Sequence, residues 1–331
     1  MSTINSTQKN TQDSDVVTIS TTDSAIASEQ GVVQETESDV EGDERTDIEV
    51  DYNTDSGYDD ESIHSLISSL GSLEVDPIHQ HGHRYHGSDR VLLPDDESEQ
   101  ERLDLQHHIL KMCLDGNLTI SNLPNTSQNI FDIGTGTGIW AIEMGDKYES
   151  AQITGIDLSP IQPLWVPPNV QFEIDDVTKP WLRNTNSMDF IHIRNMVGGI
   201  SDWKALFAEA LDHLKPGGIV EVTEIRTKFD CADGTFEEKG KACKEWADTF
   251  HEIAKGMGMD FDPSPSVPGW LSEVGFEDVR MENYSMMLFT KNGWEATSVH
   301  ALLGKVRAEL KDPGMHAFTQ ACFITGRKRL A

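Results

Sequence analysis

Three glycines alternate with small residues in Asp132-Ile133-Gly134-Thr135-Gly136-Thr137-Gly138, at the end of a short apolar run. Glycine has no Cβ, so the backbone there can turn sharply and let a ligand lie against it. Between a strand and a helix, such a loop is a nucleotide-type binding site at the C-terminal edge of a parallel sheet. The spacing removes two ligand classes. The dinucleotide pattern G-x-G-x-x-G would put glycine at position 139, where the chain has Ile139. The phosphate cradle G-x-x-x-x-G-K-[ST] is absent, because no lysine follows the glycines. Acidic residues downstream supply partners for the loop. Asp157 ends an apolar run 21 residues after Gly136, and a carboxylate there can accept from both hydroxyls of a ribose. Asp175-Asp176-Val177 follows a third apolar run, where a carboxylate can accept from an adenine amino group and the Val177 N–H can donate to a ring nitrogen. Leu214-Lys215-Pro216-Gly217-Gly218-Ile219 reads as a helix-to-strand turn whose glycines suit positive φ. Each piece alone is a common structural feature. In this order they describe a nucleoside site.

A parallel sheet has to hold these stations in a row. Apolar runs predict strands over residues 130–133, 152–156, 170–174, 188–193, 219–224, 279–284 and 318–326. Helical spacing predicts helices over 138–147, 201–214, 236–256, 267–274 and 294–310. Seven strands with helices between them fit one doubly wound α/β domain. Ahead of it, residues 95–115 read as a helix with Leu103, Leu105, Ile109, Leu110, Met112 and Cys113 on a broad apolar face, stopped by Asp115-Gly116-Asn117. Four prolines (Pro160, Pro163, Pro167, Pro168) exclude a long helix after the second strand. Trp165 among them is expected to pack, or to sit near the crevice. His79, His81, His83 and His86 alternate without a cysteine or carboxylate at ligand spacing, so they read as a polar linker and no metal is expected.

The net charge of −31 is unevenly spread: residues 1–75 hold eighteen Asp/Glu against two Lys/Arg. With few large apolar residues, that segment cannot offset its ordering entropy and is expected to be a disordered acidic tail. Residues 76–331 form the folded domain, with 76–128 as an N-terminal lid and helix and 129–331 as the core. Within the tail, Ile63, Leu66, Ile67, Leu70 and Leu73 recur at helical spacing. Residues 60–75 are thus either a transient amphipathic turn or a docking segment for a regulatory protein partner. The acidic balance excludes a general nucleic-acid binder and disfavours anionic membranes. Cys113, Cys231, Cys243 and Cys322 are too widely spaced for a zinc site and fit reduced thiols. The N-terminus lacks the regions of a signal peptide, and no run approaches a membrane span, so an intracellular protein, cytoplasmic or nuclear, is expected.

From about Arg84 to Ala331 the chain resembles the class I S-adenosylmethionine-dependent methyltransferases, and within them the fungal LaeA-like, or TAM-domain, family. The marks are Arg84-Tyr85-His86, Arg102-Leu103-Asp104-Leu105-Gln106-His107-His108, the glycine loop continued as Ile139-Trp140-Ala141-Ile142, Asp157-Leu158-Ser159-Pro160-Ile161-Gln162-Pro163, and Phe190-Ile191-His192-Ile193-Arg194. The resemblance implies a Rossmann-like seven-stranded sheet, six strands parallel and the last in sequence antiparallel, under a helical N-terminal lid. It implies S-adenosyl-L-methionine as cofactor, held by Tyr85, Asp132, Gly134, Thr135, Gly136, Gly138, Asp157, Leu158, Asp175, Asp176, Val177, Arg194 and Asn195. Asp132 and the glycines would bound its methionine end, Asp157 its ribose, and Asp176 (or Asp175, where the wider superfamily often has glycine) with Val177 its adenine. Arg194 and Asn195 would face the sulfonium, Arg84 or Arg194 would pair with the carboxylate, and Tyr85 would close with the lid. The methyl acceptor is a small molecule or a protein. His192, His86 and Glu224 are the candidates for a base; His192, alternating with Phe190, Ile191 and Ile193, reads equally as a core histidine. The activity expected is methyl transfer in fungal secondary metabolism, as tailoring or LaeA-like regulation. A cofactor-binding scaffold without turnover is the alternative.

Overall fold

The computed structural model describes residues 16–17, 76–80, 82–87, 93–124, 128–287 and 299–330, with the side chains of 16–17, 287 and 299–304 set aside. The amphipathic patch at 60–75 and the start of the helix expected from residue 294 lie outside these residues. In chain order the strands are β1 (Val16–Val17), β2 (Ile78–Gln80), β3 (His83–Tyr85), β4 (Asn129–Ile133), β5 (Gln152–Asp157), β6 (Val170–Ile174), β7 (Met188–Arg194), β8 (Leu214–Ile225), β9 (Asp230–Cys231), β10 (Glu277–Met287) and β11 (Ala317–Arg327). The helices are α1 (Glu97–Cys113), α2 (Ile139–Lys147), α3 (Trp203–His213), α4 (Thr235–Lys239), α5 (Lys241–Gly256), α6 (Val267–Val274) and α7 (Val299–Leu310).

Seven strands form the body of the main sheet in the order β10-β11-β8-β7-β4-β5-β6, with β1 beside β10 and β9 beside β11. The pairings among β8, β7, β4, β5 and β6 are parallel, and β11 runs antiparallel to both β8 and β10. Strand side chains alternate between faces, and neighbours accordingly go to opposite cores. Phe131, Ile191 and Val220 pack with Phe207 of α3 and Leu271 of α6. Ile130 and Phe190 pack with Trp140 and Met144 of α2. Both faces are therefore covered, as near-continuous apolar strands require.

Several expectations are corrected. The histidine stretch forms a hairpin, β2–β3, in which Ile78 pairs with Tyr85; the lid is thus a hairpin and a helix, not a helix alone. His83 Nδ1 lies 2.7 Å from Asp96 Oδ2, the carboxylate that also caps α1 through the Glu99 N–H. The Leu214–Ile219 turn is absorbed into β8 as a bulge, with residues 215–218 opposite Asp189 alone and Gly217 at φ +81°. The helix expected over 236–256 breaks at Gly240, against which the Phe236 side chain packs. The expected apolar face of α1 is rotated: Leu105 is exposed, and the buried face runs through Glu99, His107, Leu110 and Cys113. Trp165 does not line the crevice cavity and is 94% exposed, on a segment whose prolines exclude a long helix. Among the described residues no helix is long and apolar enough to cross a membrane, and no group of three His, Cys, Asp or Glu could hold a metal.

Candidate functional site

The strand order reverses at β4: β5 follows on one side and β7 lies on the other. This is the switch point at which the C-terminal edge of an open α/β sheet leaves a crevice. The glycine loop opens there. Gly134 and Thr135 donate their N–H groups to Ile156 O at 2.9 and 3.0 Å, which ties the loop to the end of β5. Gly134, Gly136 and Gly138 have φ of +67°, +58° and +79°, a region costly for residues with a Cβ.

A cavity of about 190 Å³ fills the crevice. Residues 134–137 form one wall, the ends of β5 and β6 a second, residues 194–200 a third, and Asp95, Glu99, Leu103 and Gln106 of the lid close it. Gly134, Thr135, Gly136, Asp157, Leu158, Asp175, Asp176, Val177, Arg194 and Asn195 all line it. Asp157 accepts from the Gly136 N–H at 2.8 Å and the Ser159 N–H at 3.0 Å. Burial raises its carboxyl pKa, and those N–H groups pull it back in part. Each carboxylate oxygen has two lone pairs, so acceptor capacity remains toward the cavity. Asp176 is buried and accepts from Thr178 N and Oγ1, whereas Asp175 is exposed and accepts from the Asp176 N–H.

Three expected residues lie behind the wall. Asp132 is buried; one oxygen takes the Thr135 hydroxyl at 2.6 Å and the other His192 Nδ1 at 2.7 Å. It shapes the loop from beneath. Gly138 faces the Phe172 ring. Tyr85 sits in the hairpin, bridged to Pro94, which lines the cavity. Arg84 is committed to Asp95, with Nε to Oδ1 at 2.8 Å and Nη2 to the carbonyl at 2.7 Å.

None of the three candidate bases lines the cavity. His192 stacks on Trp140 with ring centroids 3.7 Å apart and serves the core. His86 is buried outside it. Glu224 lies under the third wall, where Oε1 takes the Met196 N–H at 2.7 Å and the Val197 N–H also points to the carboxylate; Oε2 is buried without a partner. Burial pushes its pKa up to about 8. Because the folded value exceeds the unfolded one of about 4.3, the stabilisation is complete at low pH and is lost as pH rises toward 8. Glu224→Gln should therefore flatten the fall of Tm between pH 5 and 8.5. An unchanged slope in thermal melts would show that Glu224 does not titrate in this window.

Sequence reasoning missed the residues that tie the lid and the proline segment to the loop. Asp104 of α1 accepts from Thr137 Oγ1 at 2.6 Å. Gln162 donates to the carbonyls of Gly136 at 2.6 Å and Ser159 at 3.0 Å. Its place between two prolines was the available signal: a polar side chain on an extended segment beside the loop.

A family model described as a methyltransferase domain matches residues 105–281. The chain is 37% identical over 279 residues to the methyltransferase pytC of Aspergillus terreus, covering 83% of each chain. It is 37% identical over 289 residues to the protein-methionine methyltransferase laeA of Emericella nidulans, covering 76% of each. Among solved structures, phosphoethanolamine N-methyltransferase 2 of Haemonchus contortus, in complex with S-adenosyl-L-methionine, is 14% identical with a TM-score of 0.45, covering 82% of this chain and 75% of that one.

Proposed function

The chain belongs to the methyltransferase-domain family and is an S-adenosylmethionine-dependent methyltransferase, and from that premise we propose that it methylates a small-molecule acceptor in fungal secondary metabolism. The observation that carries the site assignment is the row of groups along one sheet edge. Arg194 and Asn195 end β7, the glycine loop ends β4, Asp157 ends β5, and Asp175-Asp176-Val177 follow β6, in that spatial order. Three interstrand steps of roughly 4.8 Å separate the first from the last, the reach of an extended amino acid joined to a nucleoside. The donor set fits that shape. Two carboxylate stations stand at the nucleoside end, a guanidinium stands at the other, and Ile156, Leu158 and Ile200 give apolar wall between them.

When bound, S-adenosylmethionine supplies an electrophilic methyl on a sulfonium. The chain's own residues orient and enclose. Asp157 takes the ribose hydroxyls, and Asp176, the buried member of its pair, with the Val177 N–H takes the adenine edge. The lid residues Leu103 and Gln106 exclude water. Orientation of this kind is worth about 7–11 kcal/mol of a transfer barrier. With His192, His86 and Glu224 off the wall, the acceptor is a nucleophile that needs no side-chain base from them.

The similarity to pytC over most of both chains supports methyl transfer, and a crevice that the lid residues close supports a small acceptor. The similarity to laeA favours a second reading, a regulator acting through a protein acceptor. Isothermal titration with S-adenosylhomocysteine tests the shared donor site; a wild-type chain that fails to bind it overturns the assignment. Mass spectrometry of metabolites from a deletion strain separates the readings. One precursor lighter by a methyl group supports tailoring, and many pathways silenced together supports regulation.

A further inference from the structure

Arg194 reaches from the end of β7 to the boundary between the main cavity and a smaller one beneath α1. Among the described residues, no carboxylate forms an ion pair with its guanidinium; Asp132, Glu143 and Asp104 act on it only from a distance. Its hydrogen-bond partner is neutral. Nη1 lies 2.9 Å from His107 Nδ1 on α1. A guanidinium only donates, so Nδ1 is the acceptor and the ring proton sits on Nε2. That Nε2 is buried without a hydrogen-bond partner, 3.4 Å from Glu143 Oε2, an oxygen already held by Lys111 Nζ at 2.6 Å.

This arrangement has a specific electrostatic consequence. A carboxylate at position 107 would fix Arg194 and also cancel its charge. An apolar residue would leave the charge and free the long stem to move. A neutral imidazole acceptor fixes the guanidinium and leaves its charge for something else. Burial, together with the nearby Arg194 charge, lowers the His107 pKa to about 4, so the ring stays neutral at ordinary pH.

We infer that His107 is a positioning residue that aims the uncompensated Arg194 guanidinium at an amino-acid carboxylate in the main cavity, which makes lid helix α1 part of the methyl-donor site. The inference rests on the donor-site reading above and adds the carboxylate as the recognised group. His107 does not touch the ligand; it acts through Arg194. The Asn/Asp pair isolates the charge, since the two side chains have nearly the same shape and both offer an acceptor near the Nδ1 position.

The test is isothermal titration of the full chain with two probes: S-adenosylhomocysteine, which carries the carboxylate, and 5′-methylthioadenosine, which lacks it. Arg194→Ala should weaken the first and leave the second unchanged. His107→Ala should cut the affinity for S-adenosylhomocysteine about tenfold, as loss of one charge-assisted hydrogen-bond geometry would, with methylthioadenosine again unchanged. His107→Asn should restore most of that loss, and His107→Asp should not. The double variant should lose no more than Arg194→Ala alone. Equal weakening of both probes by His107→Ala would mean a merely structural role and overturn the inference, as would Asp performing as well as Asn. Methylthioadenosine binding reports in each variant that the site is folded. A wild-type chain that binds neither probe instead overturns the donor-site reading.

Discussion

Asp157→Asn should abolish useful affinity for S-adenosylhomocysteine while leaving the unliganded fold nearly intact. Two effects act in opposite directions. Toward the ligand, the carboxylate is the acidic group at the end of β5 and accepts from Gly136 and Ser159 at the same time. The amide keeps one acceptor oxygen and turns an NH2 group toward N–H donors or ribose hydroxyls. Hydrogen bonds to a charged group contribute about 1.5–3 kcal/mol each. Loss of two therefore predicts an affinity lower by roughly 10²- to 10⁴-fold. Toward the fold, burial raises the Asp157 pKa, so ionising it in the native state is unfavourable. The sign follows: stability linked to this group is present at low pH and lost as pH rises through its raised folded value. The asparagine variant avoids that ionisation, which offsets the loss of one N–H acceptor. Titration calorimetry and thermal melts at neutral pH measure the two sides separately. Affinity retained within tenfold would remove Asp157 from the binding site. A collapse of Tm without ligand would make it a structural residue.

The sheet and the binding row were legible because they rest on strong local rules. Apolar runs gave β4 to β7 to within a residue at either end and the later half of β8, and positive φ at Gly134, Gly136 and Gly138 is a demand only glycine meets at low cost. The lid was less legible for a physical reason. The buried face of α1 carries Glu99, which binds Arg102 one turn on, and His107, whose Nδ1 meets Arg194 from β7. Hydrophobic spacing looks for apolar residues on a buried face and so rotated the helix toward Leu105. Glu221 shows the same blind spot. Fully buried on β8, it accepts from Thr119 Oγ1, the Ile120 N–H and both groups of Ser121, and holds the segment after α1 to the sheet. Nothing in the run Ile219–Ile225 distinguishes that glutamate from a solvent-facing one. The resemblance implies a ligand contact for Asp132, whereas its carboxylate turns inward to His192 on the next strand.

Gly138 gives the sharpest separation between a glycine kept for a ligand and one kept for packing. It lies outside the cavity lining, and a Cβ built there meets the Phe172 ring, with Cε1 at 2.8 Å and Cε2 at 3.0 Å. The same ring approaches Gly155 on β5, where a Cβ would sit 2.7 Å from Cδ1. Phe172 thus occupies room that two glycines leave between the loop and the sheet. Gly138→Ala meets two costs: roughly 1–2 kcal/mol for placing a side chain in the left-handed region, and about 1–3 kcal/mol for overpacking against the ring. The variant should be destabilised by about 2–5 kcal/mol in urea unfolding. Phe172→Leu should relieve the second cost and leave the first. The double variant should therefore be more stable than the sum of the single changes implies, as contacting residues require. Additive values would show that the ring does not constrain position 138. If Gly138 instead served the ligand directly, the folded Gly138→Ala fraction would bind S-adenosylhomocysteine far more weakly than wild type. Packing alone leaves the affinity of that fraction close to normal, so calorimetry corrected for active protein decides between the two roles.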